Sequence, residues 1–286
     1  VPELPEVETI VRDLAPRLAG QILKDPRLLH SDLLRGVSKR RLLATLHGNR
    51  VVELSRRAKH AVFLLASGHR LVIQPGMTGA LLISSRESPP RGADYVVFQA
   101  RLARGECLLY RDVRRLGNIL LLTERQWNAY TARIGPEPLS EDFEFEEFRR
   151  RIGASKQAIK KVLMDQRRIA GVGNIYAQEA LFRAGIDPSR RADRLDRASM
   201  ERLFWAVREV LVEAIARGGT TLRDYRRGTG EPGSFQFSLR VYGRGGQPCV
   251  RCGALLATTH AIDGRATTFC WRCQAGQPAR KKSLDF

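Results

Sequence analysis

The chain has 286 residues, 43% hydrophobic and 28% charged, a composition that reads as soluble and globular with room for two domains. Its 49 Lys and Arg against 30 Asp and Glu give a net charge of +19 and point to a polyanionic partner, and no basic amphipathic helix or lipidation signal directs that charge to a membrane. No apolar run reaches the length of a membrane span, and the acidic start (Glu3, Glu6, Glu8) lacks a signal peptide's apolar core, so a cytoplasmic protein is expected.

The opening VPELPEVETI poses a chemical question. Inside a chain, a proline nitrogen is a tertiary amide without a proton; at a free amino terminus it is a secondary amine able to attack an electrophilic carbon. Val1 stands before Pro2 and blocks that chemistry for as long as it is present. Residues 5–19 read as a helix: Pro5 suits the first turn, Val7, Ile10, Val11, Leu14 and Leu18 form one apolar stripe, and Gly20 suits the stop. From 21 to 123 the pattern changes to short apolar runs, VVEL, HAVFLLA, RLVIQ, ALLIS, YVVFQARLA, ECLLYR and NILLLT, several alternating with period two. This predicts a β-sandwich, with Cys107 a buried strand residue.

GPEPLSEDF (135–143) reads as a linker leading into helices. SKQAIKKVLMD is expected to be capped by Ser155, IYAQEALFRAG to end at Gly185 and RASMERLFWAVREVLVEAIARGG at Gly218. Residues 218–246 contain eight glycines and read as a mobile segment. The fold class expected is α+β, with domains over 1–130, 139–240 and 241–276, the last a small metal module.

CVRC (249–252) and CWRC (270–273) are two CxxC pairs at the spacing of a four-thiolate zinc site. The alternative is a pair of disulfides, which a reducing compartment disfavours. With Cys249, Cys252, Cys270 and Cys273 filling the shell, one Zn2+ would be structural, folding a hairpin too small for its own apolar core. Arg265 follows Gly264 at the hairpin tip, either as a solvated loop arginine or as a guanidinium held out to phosphate. RIAGVGNIYAQE places Gly171, Gly173 and Asn174 before a helix whose first amides favour an anion, but no strand precedes it as a dinucleotide fold requires. SRRAKHAVF sets Lys59 at the lip of a strand, which is also where an ordinary edge lysine would stand. Met77 in QPGMTG and Arg114 and Leu116 in DVRRLG lie on glycine-bracketed turns, where apolar side chains can wedge into base steps.

PELPEVET, RRAK, RDVRRLG, IGPEPLS, GVGNIYAQEALF, GGTTLRDY, LRVYGRGGQPCVRCG and GRATTFCWRCQ, in this order and spacing, resemble the formamidopyrimidine-DNA glycosylase family from Pro2 to about Gln274. The resemblance implies an N-terminal β-sandwich with flanking helices and a C-terminal helix–two-turn–helix domain with a zinc-finger β-hairpin, clamping damaged duplex DNA as a monomer. It further implies a bacterial, nucleoid-associated base-excision enzyme that removes oxidised purines and cleaves the strand by β,δ-elimination. In such a family member Pro2 is the mature terminus and the nucleophile, Val1 being a GUG initiator rendered literally. Glu3 moves protons at the sugar, Lys59 assists beside it, and Arg265, Asn174 and Lys156 grip phosphates. Met77, Arg114 and Leu116 fill the hole left by the extruded nucleotide, and the segment near Tyr225 folds over its base.

Three departures stand out: Leu116 where phenylalanine is common, Ala93 and Asp94 where a phosphate-binding histidine often lies, and Ser155 where a further lysine can stand. TTLRDY and VYGRGGQPC look like the purine-lesion branch. The rival readings are the endonuclease VIII branch acting on oxidised pyrimidines, and a non-catalytic damaged-DNA binder if Val1 is retained.

Overall fold

The computed structural model describes residues 2–85 and 95–275, so Val1, Ala93 and Asp94 lie outside the described residues. By internal contacts the chain forms two compact units, residues 1–137 with 211–238, and residues 138–210 with 239–286. Leu211–Ser238 therefore counts with the N-terminal unit, although in chain order it follows the helical segments.

The first unit begins with α1 (Leu4–Leu18), whose stripe of Val7, Ile10, Leu14 and Leu18 is fully buried. Pro5 sits in the first turn, where its missing N–H costs nothing, and Gly20 leaves the helix at φ +79°. Among the described residues, nine strands follow in two sheets: β1 (Leu23–Leu28), β2 (Leu34–Arg35), β3 (Val51–Arg57), β4 (His60–Leu65), β5 (Arg70–Gln74), β6 (Gly79–Ser84), β7 (Val96–Leu102), β8 (Cys107–Asp112) and β9 (Asn118–Leu122). One sheet has the order β1-β7-β8-β6 and the other β2-β9-β5-β4-β3. The helix stripe and the inward residues of both sheets, Phe63, Leu71, Ile73, Leu81, Phe98, Leu108 and Tyr110 among them, make one core. The expected sandwich is present.

One short helix interrupts the region expected to be β-rich, and another follows its last strand. Ser38 caps α2 (Lys39–Leu46) by accepting from the Arg41 amide, and Leu42 and Leu46 turn inward. Thr123 and Gln126 form a capping box on α3 (Glu124–Thr131). Cys107 is a strand residue as expected, though only half buried.

The second unit carries α4 (Phe145–Gly153), α5 (Ile159–Leu163), α6 (Asn174–Ala184) and most of α7 (Arg197–Ala216), then a hairpin of β10 (Ala257–Thr259) and β11 (Thr267–Phe269). Phe143, Phe148 and Phe204 meet edge-on in its core. Gly185, at φ +69°, ends α6.

Ser155 is not a helix cap. Its hydroxyl turns back to accept from the Gln157 amide, its carbonyl accepts from the Asp193 amide, and Ala158 is extended, so α5 starts only at Ile159. Nor does the glycine-rich stretch hang free. Within the first unit, Asp13 receives both Arg227 and the Gly228 amide, and Tyr225 is buried against α1.

Candidate catalytic residues and nucleic-acid interface

The N-terminal residues of the first unit are fixed by one carboxylate. Glu6, 2% exposed, accepts the Glu3 amide at 2.8 Å through Oε2 and the Thr220 amide at 2.8 Å through Oε1. It thereby satisfies an amide at the start of α1 and joins that helix to the segment after α7. Pro2 and Glu3 are buried beside it. The Tyr225 hydroxyl lies 3.2 Å from the carbonyls of both Glu6 and Gly218 and donates to that pair. Burial, with the Glu6 charge, pushes the phenol up, so it stays a donor. The segment near Tyr225 is the one expected to fold over a flipped base. The Tyr225 ring lies in the core, anchoring the segment, and Leu222, Arg223 and Asp224 before it are exposed.

The two wedge-bearing turns are stapled together by a residue that the sequence did not single out. Asp112, fully buried, accepts from Thr78 Oγ1 at 2.5 Å, from the Tyr110 hydroxyl at 3.1 Å and from the Gly117 amide at 2.9 Å. Thr78 Oγ1 in turn accepts the Arg114 amide at 2.8 Å. A Cβ on Gly76 would lie 2.5 Å from Asp112 Oδ2 and 2.7 Å from the Gly117 nitrogen, so glycine is what lets the turns meet. The outcome is a cluster: the Arg114 guanidinium reaches Met77 Sδ at 3.7 Å, and Leu116 stands 54% exposed beyond a left-handed Arg115. The turn holds an apolar tip toward solvent, where a partner can cover it.

Lys59, half buried, follows Ala58 in the two-residue connection between β3 and β4. The arginines before it are engaged inward: Arg56 pairs with Glu8 and Glu137, and Arg57 with Glu137.

In the second unit, the hairpin is docked on α6 and α5 by polar contacts that converge near Arg265. Gln178 takes the Thr268 amide at 2.7 Å and donates to the Ala266 carbonyl at 3.1 Å and to Asn174 Oδ1 at 3.0 Å. Lys160, fully buried, binds Asp263 at 3.0 Å and Thr267 Oγ1 at 2.7 Å, while Asp263 also accepts the Arg265 amide. Asn174, in the first turn of α6, is thus brought to the same tip as the exposed Arg265. Lys156 is exposed on the stretch before α5. Glu179, fully buried, receives the amides of Arg240, Val241 and Tyr242 at 2.9–3.1 Å. Burial pushes its carboxyl up, and those three amides oppose the shift.

The thiols of Cys249, Cys252, Cys270 and Cys273 lie within 4.8 Å of one another, with Cys252 and Cys270 sulfurs at 3.5 Å and Cys249 and Cys273 at 3.9 Å. A tetrahedron with Zn–S bonds of about 2.3 Å requires S···S near 3.8 Å, so the donor set fits zinc and not disulfides. The Arg251 amide on Cys249 Sγ and the Cys273 amide on Cys270 Sγ are the hydrogen bonds that thiolates attract. The four cysteines form one structural zinc site.

A two-sheet unit, a helical unit whose α6 opens on a glycine turn, and a four-thiolate hairpin docked on that helix define a zinc-finger protein of the helix–two-turn–helix class. Matches to known families agree: formamidopyrimidine-DNA glycosylase N-terminal domain over residues 1–119, its H2TH domain over 134–226, and the zinc finger found in FPG and IleRS over 246–276. Among relatives, the formamidopyrimidine-DNA glycosylase of Alcanivorax borkumensis is 43% identical over 275 residues, covering 96% of this chain and all of that one. MutM (Fpg) of Thermus thermophilus superposes with TM-score 0.84 at 40% identity, covering 97% of this chain and 100% of that one. Lactococcus lactis Fpg in complex with DNA containing an abasic site gives TM-score 0.88 at 33% identity, covering 95% and 99%. The chain belongs to the formamidopyrimidine-DNA glycosylase family.

Proposed function

We propose that this protein excises oxidised purines from duplex DNA and then cleaves the strand at the abasic site, acting as a monomer in the bacterial nucleoid. The observation that supports the reading is the buried Glu6 carboxylate, which holds the Glu3 amide next to the buried Pro2. The reading requires the working protein to start at Pro2, since only then is its nitrogen a secondary amine.

Pro2 nitrogen attacks C1′ of the damaged nucleotide, and the C1′–N bond to the base breaks, the base leaving with a proton. Glu3 moves protons at the sugar as the ring opens, giving an iminium between Pro2 and C1′. That cation acidifies C2′; loss of a C2′ proton expels the 3′-phosphate, and a second elimination expels the 5′-phosphate. Lys59 balances charge beside the sugar-phosphate. Asn174, Arg265 and Lys156 bind backbone phosphates, while Met77, Arg114 and Leu116 occupy the vacated stack. Zinc supports the hairpin and takes no part in bond breaking. The domain limits 1–130, 139–240 and 241–276 are proposed as the units of this division of labour.

The test is borohydride trapping on an 8-oxoguanine duplex with a thymine-glycol duplex alongside, after intact mass has shown a chain starting at Pro2. The expected adduct maps to residue 2 and forms preferentially on the purine lesion. An adduct mapping to Lys59 would overturn the nucleophile, and preference for thymine glycol would overturn the substrate class.

A further inference from the structure

The connection that presents Lys59 is strained and unusually well braced. Ala58 has φ +53°, a left-handed conformation that hairpins normally give to glycine or asparagine. Three side chains hold the backbone there. Glu137 Oε1 accepts the Ala58 amide at 2.6 Å, Arg56 Nη1 donates to the Ala58 carbonyl at 3.0 Å, and His60 Nδ1 lies 3.0 Å from the Arg57 carbonyl. A carbonyl only accepts, so His60 carries its proton on Nδ1, and Nε2 is left to accept from the Tyr130 hydroxyl at 2.9 Å. Glu137 is fixed in turn by Arg56 at 2.6 Å and Arg57 at 2.8 Å, and Arg57 also donates to the carbonyls of Ile134 and Gly135.

We propose that Glu137 and His60 are positioning residues for Lys59, locking the left-handed turn so that the ammonium meets the sugar-phosphate of the damaged strand in one orientation. A two-residue hairpin needs no such brace for pairing alone, because β3 and β4 already exchange a full ladder from Leu54 to His60. The groups facing His60 are Arg57, Lys59, Glu137 and Tyr130; burial, helped by the two cations, holds the imidazole below its usual pKa and so in the neutral form that this geometry uses.

This inference rests on Lys59 acting at the DNA, and the test separates the two. Base excision from an 8-oxoguanine duplex is measured in single turnover with enzyme in excess, and affinity is measured on a duplex holding a tetrahydrofuran abasic analogue. Glu137→Ala and His60→Phe are each expected to slow the chemical step about tenfold while leaving the dissociation constant within about threefold, and His60→Asn, which keeps a donor for the Arg57 carbonyl, to recover most of the loss. In a Lys59→Ala background neither change should slow the reaction further. Full additivity with Lys59→Ala would overturn the positioning role alone; a Lys59→Ala protein with undiminished rate would overturn Lys59 at the DNA and the positioning role with it. Should Glu137→Ala fail to fold, the His60→Phe cycle decides.

Discussion

Leu116 is exposed for a reason that its own turn supplies. Asp112, Thr78 and the two glycines, Gly76 and Gly117, devote a buried carboxylate and two side-chain-free positions to holding one apolar tip outward. Extruding a nucleotide costs a few kcal/mol of stacking, and bulk in the gap returns part of it. Leucine provides bulk and dispersion without the π-face of a phenylalanine. Leu116→Ala should therefore slow excision from an intact duplex by about 10-fold, about 1.4 kcal/mol, and spare cleavage of a preformed abasic site. Parallel assays on the two substrates check this, and equal loss on both would assign Leu116 to the fold. Leu116→Phe should be tolerated and sharpen discrimination against adenine opposite the lesion.

At the scale of elements, the zinc hairpin is a platform for Arg265, because Gln178 and Lys160 grip it only where β11 and the Asp263 turn are formed. Removing the metal by chelation, or one ligand by Cys249→Ala, should weaken duplex binding and lower the melting temperature while leaving borohydride-trappable chemistry at saturating DNA. Loss should grow as pH falls, since protons compete with zinc for thiolates. Helix α1 and strand β3 carry a second testable link. Burial alone would raise the Glu8 carboxyl, but Arg56 and Arg12 together hold it below its ordinary value. A carboxyl depressed by folding stabilises fully above its unfolded pKa of about 4.3 and loses that contribution as pH falls through the folded value. The melting-temperature gap between wild type and Glu8→Gln should thus be open at pH 7 and close in acid.

These links also mark what the sequence made legible. The α1 stripe, seven of the strands and the cysteine pairs announce themselves because their signals are local and periodic. Asp112 with Thr78, Glu6 with Thr220 and Glu137 with Ala58 do not, because their partners lie 34, 214 and 79 residues away. Ser155 misled for the opposite reason: a serine before KQAIKK has the local look of a cap, and only the Asp193 amide on its carbonyl shows the stretch to be extended.

For the whole molecule, the charge of +19 sets how binding responds to salt. With about 5–6 phosphates neutralised, the log–log slope of affinity for undamaged duplex against salt should be roughly −5. Fluorescence anisotropy from low to physiological salt measures it; a nearly flat line would argue against an enclosed duplex. Among the described residues no helix is long and apolar enough to cross a membrane, and nucleic acid is the polyanion that this charge addresses.

The carboxylates of Glu6 and Asp13 have an additional consequence during synthesis. Their partners, Thr220, Arg227 and the Gly228 amide, are among the later residues to leave the ribosome. At translation rates of about 5–20 residues per second, roughly 10–40 s pass between the emergence of Asp13 and that of Gly228. Throughout that interval α1 lacks the hydrogen bonds that Glu6 and Asp13 make to the later segment. If Pro2 is the nucleophile, as proposed, a nascent chain lacks these clasps on its reactive end until more than three-quarters of the polypeptide exists.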